Sequence, residues 1–195
     1  MVKTLAFCAE SFAESARRAA GVEPMTCPPV SSHQFDPSWL EGWDLIYFDL
    51  HGGPGLPWFW GDHSVPALRS EQVLTSDLGG AGVFAVNCFL DETDSPMLDA
   101  LLRSGAAWVI GGAGENYGGR RSLLGAPLLF RWFRRFLALG LSPAVSLTWA
   151  KRRLLLSLGG RQRRAARDAL AFRMLVADKP RRIMLRASCL SGGRT

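Results

Sequence analysis

Three apolar runs constrain the fold of this chain more than any other feature. They span residues 43–50, 82–90 and 106–112, and each is apolar along most of its length. A run of this kind is typical of a strand that is buried on both faces, as in a parallel sheet covered by helices. Such a sheet needs a helical layer on each side, which predicts a three-layer arrangement.

Segments with helical signals separate these strands. Residues 94–105 carry Ser95 as a predicted N-cap and Pro96 as the first helical residue, and residues 11–21 carry Ser11 and Gly21 at the two ends. Residues 52–66 are rich in glycine and proline and are predicted to form a loop. The other predicted helices cover 70–80, 126–140, 142–160 and 161–170, and the other predicted strands 3–9, 25–27 and 171–177.

The alternation of strands and capped helices defines the expected fold class. It predicts an α/β sandwich of three layers with a mainly parallel central sheet flanked by helices. We expect one domain over residues 1–195, since a chain of 195 residues can bury about 70% of its extended surface without a second core.

Charge is divided unevenly along the chain. Residues 1–119 contain 5 Lys/Arg and 15 Asp/Glu, whereas residues 120–195 contain 18 Lys/Arg and 2 Asp/Glu. The basic, helical half from about residue 120 is compatible with nucleic-acid binding, but it shows no aromatic-basic interleaving on a strand and no known binding motif. Over nucleic acid we therefore favour attraction between the two halves, or a basic half that faces solvent or an acidic partner.

Composition also indicates a compartment. The first residues do not form a signal peptide, and arginines interrupt the longest apolar segments of the second half, so we expect a cytoplasmic protein without membrane contact. Four cysteines are scattered without CxxC pairs or His/Cys clusters. We therefore expect no metal site, no cofactor and no disulfide framework.

His51 and Cys88 are the candidate catalytic residues. Each follows or ends a predicted buried strand, and the carboxyl ends of parallel strands meet at one edge of the sheet, where ligands bind. A thiol and an imidazole held about one strand spacing apart, roughly 4.8 Å, can share the work of a nucleophile and a proton carrier. Cys8 and Cys27 are predicted to be inert core residues instead.

Two neighbours of His51 have candidate roles. Gly52 leaves room for a substrate backbone, and its amide together with that of Cys88 is a candidate oxyanion hole. Asp49 stands two residues before His51, on the same side of the strand, and is a candidate for orienting the imidazole.

The order of these features resembles the caspase-like cysteine peptidases of clan CD. The resemblance lies in "DLIYFDLHGG" followed by "GVFAVNCFLDETDSPMLDALLRSGAAWVIGGAG", and it is greatest for the CHAT and gingipain-like branch. The helical pair in "FRRFLALGLSPAVSLTWAKRRL" is similar to one found downstream in that branch. The resemblance covers about residues 40–177.

The resemblance implies a caspase-like fold and hydrolysis of peptide bonds in a protein substrate. Cys88 would be the nucleophile, His51 the proton donor to the leaving amine, and the amides of Gly52 and Cys88 the oxyanion hole. An acidic residue near the strand ends would select Lys or Arg at the first position of the substrate, and Asp91, Glu92 and Glu115 are the candidates by position.

Other interpretations of the same residues stay open. Asp91 and Glu92 precede a helix and are also typical of residues that complement a helix dipole. The aromatic stretch at 57–60 is either part of a pocket wall or a lid packed on the core. The whole chain is either a peptidase under the control of a regulatory protein, or a catalytically silent module that binds an acidic partner or nucleic acid through its basic half.

Overall fold

The computed structural model describes residues 2–116, 118–157 and 163–176. Over these residues the chain forms a six-stranded sheet, a separate hairpin and helices on both faces of the sheet. The strands are β1 (Thr4–Ala9), β2 (Met25–Cys27), β3 (Leu45–Asp49), β4 (Trp58–Trp60), β5 (Pro66–Arg69), β6 (Gly82–Ala85), β7 (Trp108–Gly111) and β8 (Arg173–Leu175).

The sheet has the order β2-β1-β3-β6-β7-β8 and is mainly parallel. The first five of these strands run parallel to one another, and β8 pairs antiparallel with β7 at the edge. This confirms the predicted α/β fold with a mainly parallel sheet. It also places the carboxyl ends of β3 and β6 side by side at one edge.

Helices cover both faces of the sheet. They are α1 (Ala13–Ala20), α2 (Ser70–Leu74), α3 (Pro96–Arg103), α4 (Gly125–Ala138), α5 (Pro143–Ser157) and α6 (Arg163–Leu170). One core cluster joins the sheet to α2 and α3, and a second joins it to α1, α4, α5 and α6. Alternate residues of β3 divide between the two: Phe48 belongs to the first cluster and Tyr47, stacked on Phe130 of α4 with ring centroids 4.0 Å apart, to the second.

The ends of α1 and α3 show which capping predictions hold. The Ser95 hydroxyl accepts a hydrogen bond from the Leu98 amide (3.3 Å), so the predicted N-cap of α3 is confirmed. Gly21 ends α1 in the left-handed conformation (φ 70°), which is also confirmed. The prediction of Ser11 as an N-cap is wrong, because a turn of 3₁₀ helix over Glu10–Phe12 precedes α1.

Several predicted boundaries are also wrong, for local reasons. Residues 52–66 are not only a loop, since β4 and β5 form an antiparallel hairpin that begins inside this range. The helix predicted over 70–80 ends at Leu74. The strand predicted over 82–90 ends at Ala85, because residues 87–91 leave the sheet and bond to the segment after β7. The last predicted residues of the 142–160 helix and of the 171–177 strand lie outside the described residues.

Candidate functional site

The register of β3 and β6 brings His51 and Cys88 to the same level. Phe48 is paired with Ala85, and the next amide, that of Val86, donates to the Phe48 carbonyl (2.8 Å). His51 and Cys88 each stand three residues beyond this pair, and both line one cavity with Phe12 and Pro127, on the side of the sheet that α1 and α4 cover. The two predicted catalytic residues therefore meet at the carboxyl edge of the sheet.

The backbone of His51 is fixed by the hairpin. Its amide donates to the Trp60 carbonyl (2.8 Å), and its carbonyl accepts from the Trp60 amide (3.1 Å). The imidazole lies between the rings of Phe12 and Trp60, with centroids 5.2 and 6.0 Å away. Burial lowers the pKa of His51, the carboxylate of Asp62 opposes this shift, and the charge of Arg120 adds to it.

Asp62 is a residue that the sequence reasoning missed. It holds Ser11 through two hydrogen bonds, one from the Ser11 amide (2.6 Å) and one from the hydroxyl (2.8 Å). Its carboxylate acts on His51 from the hairpin, a segment predicted to be loop. No periodicity or motif marks this position, since it becomes relevant only once the hairpin folds against β3.

Asp49 has a different partner from the one predicted. The Tyr47 hydroxyl donates to its carboxylate (3.0 Å), and within the described residues no hydrogen bond joins Asp49 to His51. Burial raises the pKa of Asp49 to about 7, and the hydrogen bond from Tyr47 opposes that shift. Asp49 is thus a buried acid that lies under the site.

Cys88 is held by the loop that follows β7. The Asn116 amide donates to the Cys88 sulfur (3.2 Å), and the Asn116 side chain donates to the Asn87 carbonyl (2.8 Å). Burial raises the pKa of the half-buried Cys88 thiol, the Asn116 amide opposes this shift, and the charge of Glu115 adds to it. Asn116 was also missed, because sequence reasoning looked in this loop for an acidic residue.

The chain turns back sharply after Cys88. Phe89 has φ of 59°, a left-handed conformation that is costly for an aromatic residue. The turn is held by hydrogen bonds from the Phe89 amide to the Gly114 carbonyl and from the Asp91 amide to the Gly112 carbonyl, both 3.0 Å. The backbone around the thiol is therefore bonded on both sides of the turn.

Gly52 lies in contact with the Cys88 loop. A Cβ at this position would overlap the Cys88 carbonyl oxygen, so the two loops approach this closely only because residue 52 has no side chain. The assignment of the Gly52 and Cys88 amides to an oxyanion hole stays a prediction.

A cavity of about 160 Å³ opens between the two candidate catalytic side chains. Both His51 and Cys88 line it, Asp49 contributes to its wall, and Asn116 closes one side. The other described lining residues are Phe12, Leu50, Val86, Gly118, Gly119 and Pro127. Among the described residues, no cluster of three or more His, Cys, Asp or Glu could hold a metal ion.

The three acidic residues predicted to bind substrate are not among the described residues that line this cavity. The buried carboxylate of Asp91 forms an ion pair with Arg173 of β8 (2.6 Å). Glu115 acts on the Cys88 thiol through its charge, as described above, and Glu92 follows Asp91 in the turn after Cys88. Their role in a substrate pocket stays a prediction.

The aromatic stretch at 57–60 divides between the core and the wall of a second cavity, and its place in a substrate pocket stays a prediction. Phe59 is buried in the core, whereas Trp58 and Trp60 are partly exposed on β4. A second cavity, of about 460 Å³, lies against these two indoles, and Trp60 separates it from His51. Its other lining residues are Leu56, Ser64, Pro66 and Arg69.

The fold is shared with cysteine proteinases of known structure. The Arg-specific cysteine proteinase gingipain R superposes on 88% of this chain with a TM-score of 0.56 and 12% sequence identity. A complex of the RgpB pro- and mature domains from Porphyromonas gingivalis covers the same share, with a TM-score of 0.57 and 10% identity. At these identities the likeness defines the fold, which is caspase-like.

The likeness covers only part of those proteins. This chain spans 44% and 46% of the two matched chains, so less than half of their length. No protein-family model and no curated protein matches the sequence. Within the residues that the structure describes, no helix is both long and apolar enough to cross a membrane.

Proposed function

We propose that this protein is a cysteine endopeptidase of the CHAT and gingipain-like type, with Cys88 as nucleophile and His51 as proton carrier. One observation carries the proposal: His51 and Cys88 line the same cavity at the carboxyl ends of adjacent parallel strands. The shared fold with cysteine proteinases supports it.

The proposed reaction begins from uncharged groups. The shifted pKa values leave the Cys88 thiol protonated and the His51 imidazole neutral near pH 7. The sulfur attacks the carbonyl carbon of the scissile peptide, and the thiol proton is transferred to the imidazole. The imidazolium then protonates the amine as the C–N bond breaks, and water hydrolyses the thioester to restore the thiol.

The oxyanion of the tetrahedral intermediate is proposed to lie between the amides of Gly52 and Cys88. The Gly52 backbone lies against the Cys88 carbonyl, so the two loops that carry these amides adjoin each other. Backbone amides held in place before the reaction stabilise developing charge without reorganisation.

Substrate and control are the finer parts of the proposal. We propose a protein substrate, with Asp91, Glu92 or Glu115 as the group that recognises a basic first residue, and a regulatory protein that switches the enzyme. The pro-domain complex of RgpB is a precedent for a protease held by a separate polypeptide segment. A cytoplasmic location is consistent with the free thiols of Cys8, Cys27 and Cys88.

The second candidate function is a catalytically silent module. The observation in its favour is that both pKa shifts oppose a thiolate–imidazolium pair, so the site holds no preformed thiolate. In that case the basic half would bind an acidic partner or nucleic acid.

The test is proteolysis of an unfolded protein mixture by the wild type and by Cys88→Ala, with new N-termini identified by mass spectrometry. We expect a set of cleavages that disappears in Cys88→Ala and persists in Cys27→Ala, a buried thiol that is not among the residues lining the cavity. Cleavages that persist in Cys88→Ala would refute the proposal. Their complete absence from the wild type would favour the silent module.

A further inference from the structure

Helix α5 is apolar on two sides, although only one of them is buried. Its inner face packs on the core through Leu147, Ala150 and Leu154. On the outer side, Val145, Trp149 and Leu156 are 42%, 47% and 79% exposed. An amphipathic surface helix normally turns charged residues to solvent, so a second apolar face indicates a surface that is covered by something else.

Three of the four large exposed apolar side chains of α5 lie in one stripe, and the fourth, Leu155, is 56% exposed and lies beside it. Val145, Trp149, Arg152 and Leu156 follow one another at intervals of four, three and four residues, which places them along one side of the helix. We refer to these four residues as the α5 stripe. Its spacing matches the anchors by which helices dock on one another.

Aromatic rings extend the α5 stripe onto the neighbouring helix. Trp149 contacts Phe136 of α4, and Phe136 contacts Trp132, with ring centroids 6.4 Å apart in each pair. The indole nitrogen of Trp132 is buried, and no hydrogen-bond partner is assigned to it within the described residues. The result is a continuous apolar surface across α4 and α5.

Guanidinium groups lie on this surface. Arg152 covers the ring of Trp149 at 5.1 Å, and both Arg135 and Arg153 cover the ring of Trp132 at 4.9 Å. A guanidinium stacked on an indole is held in place while its N–H groups stay directed outward, so it is prepared to bind carboxylates in a bidentate manner.

The segment that forms α4 and α5 contains no acidic residue of its own. Residues 120–157 contain eight Lys/Arg and no Asp or Glu. A protein segment with a complementary pattern would carry apolar side chains at helical spacing with carboxylates beside them.

We propose that the exposed face of α4 and α5 is a docking surface for an acidic, amphipathic helix of a partner protein. Apolar residues of that helix pack along the α5 stripe and Phe136, and its carboxylates pair with Arg135, Arg152 and Arg153. This proposal is independent of peptidase activity, since the surface lies on other residues than His51 and Cys88.

Other occupants fit the charges less well. Residues 177–195 of this chain carry five Lys/Arg and one Asp, so they have the same sign as the surface. A second copy docked through the same face would oppose arginines to arginines. The phosphates of nucleic acid or lipid would also bind the arginines of this surface. Nucleic acid would leave the apolar side chains of the α5 stripe uncovered, however, and a lipid surface would not require them to follow one another at helical spacing.

The test uses a synthetic helical peptide of about 18 residues with leucines at i, i+4, i+7 and i+11 and glutamates beside them. We expect it to quench or shift the fluorescence of the protein and to bind in a calorimeter, whereas its lysine counterpart does not bind. Leu156→Ser and Arg152→Glu should each weaken binding about tenfold, the effect of losing one well-packed anchor or one charge pair.

The controls are Leu74→Ser and Arg103→Glu, which change an exposed leucine and an exposed arginine on the opposite face of the sheet. They should bind the acidic peptide as the wild type does.

Equal binding of both peptides, or a Leu156→Ser variant with unchanged affinity, would refute the docking surface. Tighter binding to phosphatidylserine vesicles or to a DNA duplex than to the peptide would refute it too, as would self-association that Leu156→Ser abolishes. The measurement needs no catalysis, so its failure is distinct from that of the proposed peptidase.

Discussion

The pKa values of His51 and Cys88 shift in the directions expected of two partly desolvated groups. Burial disfavours the charged form of each, which raises the pKa of the thiol and lowers that of the imidazole. In the proposed reaction the Cys88 thiol must therefore lose its proton as it attacks, and Asn116 and Asp62, which oppose these shifts, would be the residues that tune the pair.

The buried acid beneath the site makes a prediction about stability. The pKa of Asp49 is about 7 in the folded protein against 3.8 ordinarily, so the folded state binds this proton more tightly than the unfolded state does. Its contribution to stability is complete below about pH 4 and is lost as the pH rises toward and beyond 7. Asp49→Asn removes that loss and keeps an acceptor for the Tyr47 hydroxyl.

Denaturant unfolding of wild type and Asp49→Asn between pH 4 and 9 tests this prediction. The variant should gain stability relative to the wild type as the pH rises, by about 4 kcal/mol at most. Parallel stability curves for the two proteins would contradict the assignment of a raised pKa to Asp49.

The contact at Gly52 predicts a loss of activity without a loss of fold. In Gly52→Ala the new methyl group would overlap the Cys88 carbonyl oxygen, so the two loops must separate. A displacement of about 1 Å in a catalytic site costs about 100-fold in rate, and we expect kcat/KM to fall by that order. Gly114→Ala is the matched control, because its Cβ meets open space in the adjoining loop. Similar activities in the two variants would show that the contact is unimportant.

At the level of elements, the capped helix α3 was the easiest to predict. Ser95 and Pro96 are local signals, and α3 begins where they indicate. The β4–β5 hairpin was missed because glycine and proline around it are typical of loops. Asp62 and Asn116 were missed because their roles depend on contacts between segments, whereas His51 and Cys88 are marked by the strands that precede them.

The Ser95 cap predicts a measurable contribution to stability. Ser95→Ala removes the acceptor of the Leu98 amide at the start of α3 and should lower the free energy of unfolding by about 1 kcal/mol. Thr148→Ala is the control, since its hydroxyl donates to a carbonyl one turn earlier on the exposed side of α5. Chemical denaturation measures both, and equal small effects would contradict a capping role.

On the scale of the whole molecule, the acidic and basic halves meet at the sheet edge. Asp91 lies in the turn after Cys88 and Arg173 lies in β8, so their ion pair joins residues that are 82 positions apart in the sequence. Attraction between the halves was one of the interpretations left open by the charge composition, but the particular pair could not be predicted, because it depends on the antiparallel docking of β8 against β7.

Removing that pair should weaken the fold and disturb the site. Arg173→Ala leaves the buried Asp91 carboxylate without its partner, and we expect a loss of about 1–2 kcal/mol, less than for a fully buried pair because Arg173 is itself exposed. Arg103→Ala, which breaks an exposed pair with Asp99, should cost less than about 0.5 kcal/mol. Thermal and chemical unfolding at low and high salt compare the two, and equal losses would contradict the structural role of the Asp91 pair.

The central claim is that His51 and Cys88 form a working pair, and covalent labelling tests it most directly. The protein is treated with thiol-directed peptide probes that carry a basic or an acidic first residue, and the modified cysteine is mapped by mass spectrometry. We predict labelling of Cys88 that is absent in Cys88→Ala, strongly reduced in His51→Ala and unchanged in Cys27→Ala, with preference for the basic probe. Labelling of Cys88 that is equal in the wild type and His51→Ala, or an unmodified Cys88 in a folded wild type, would contradict the claim.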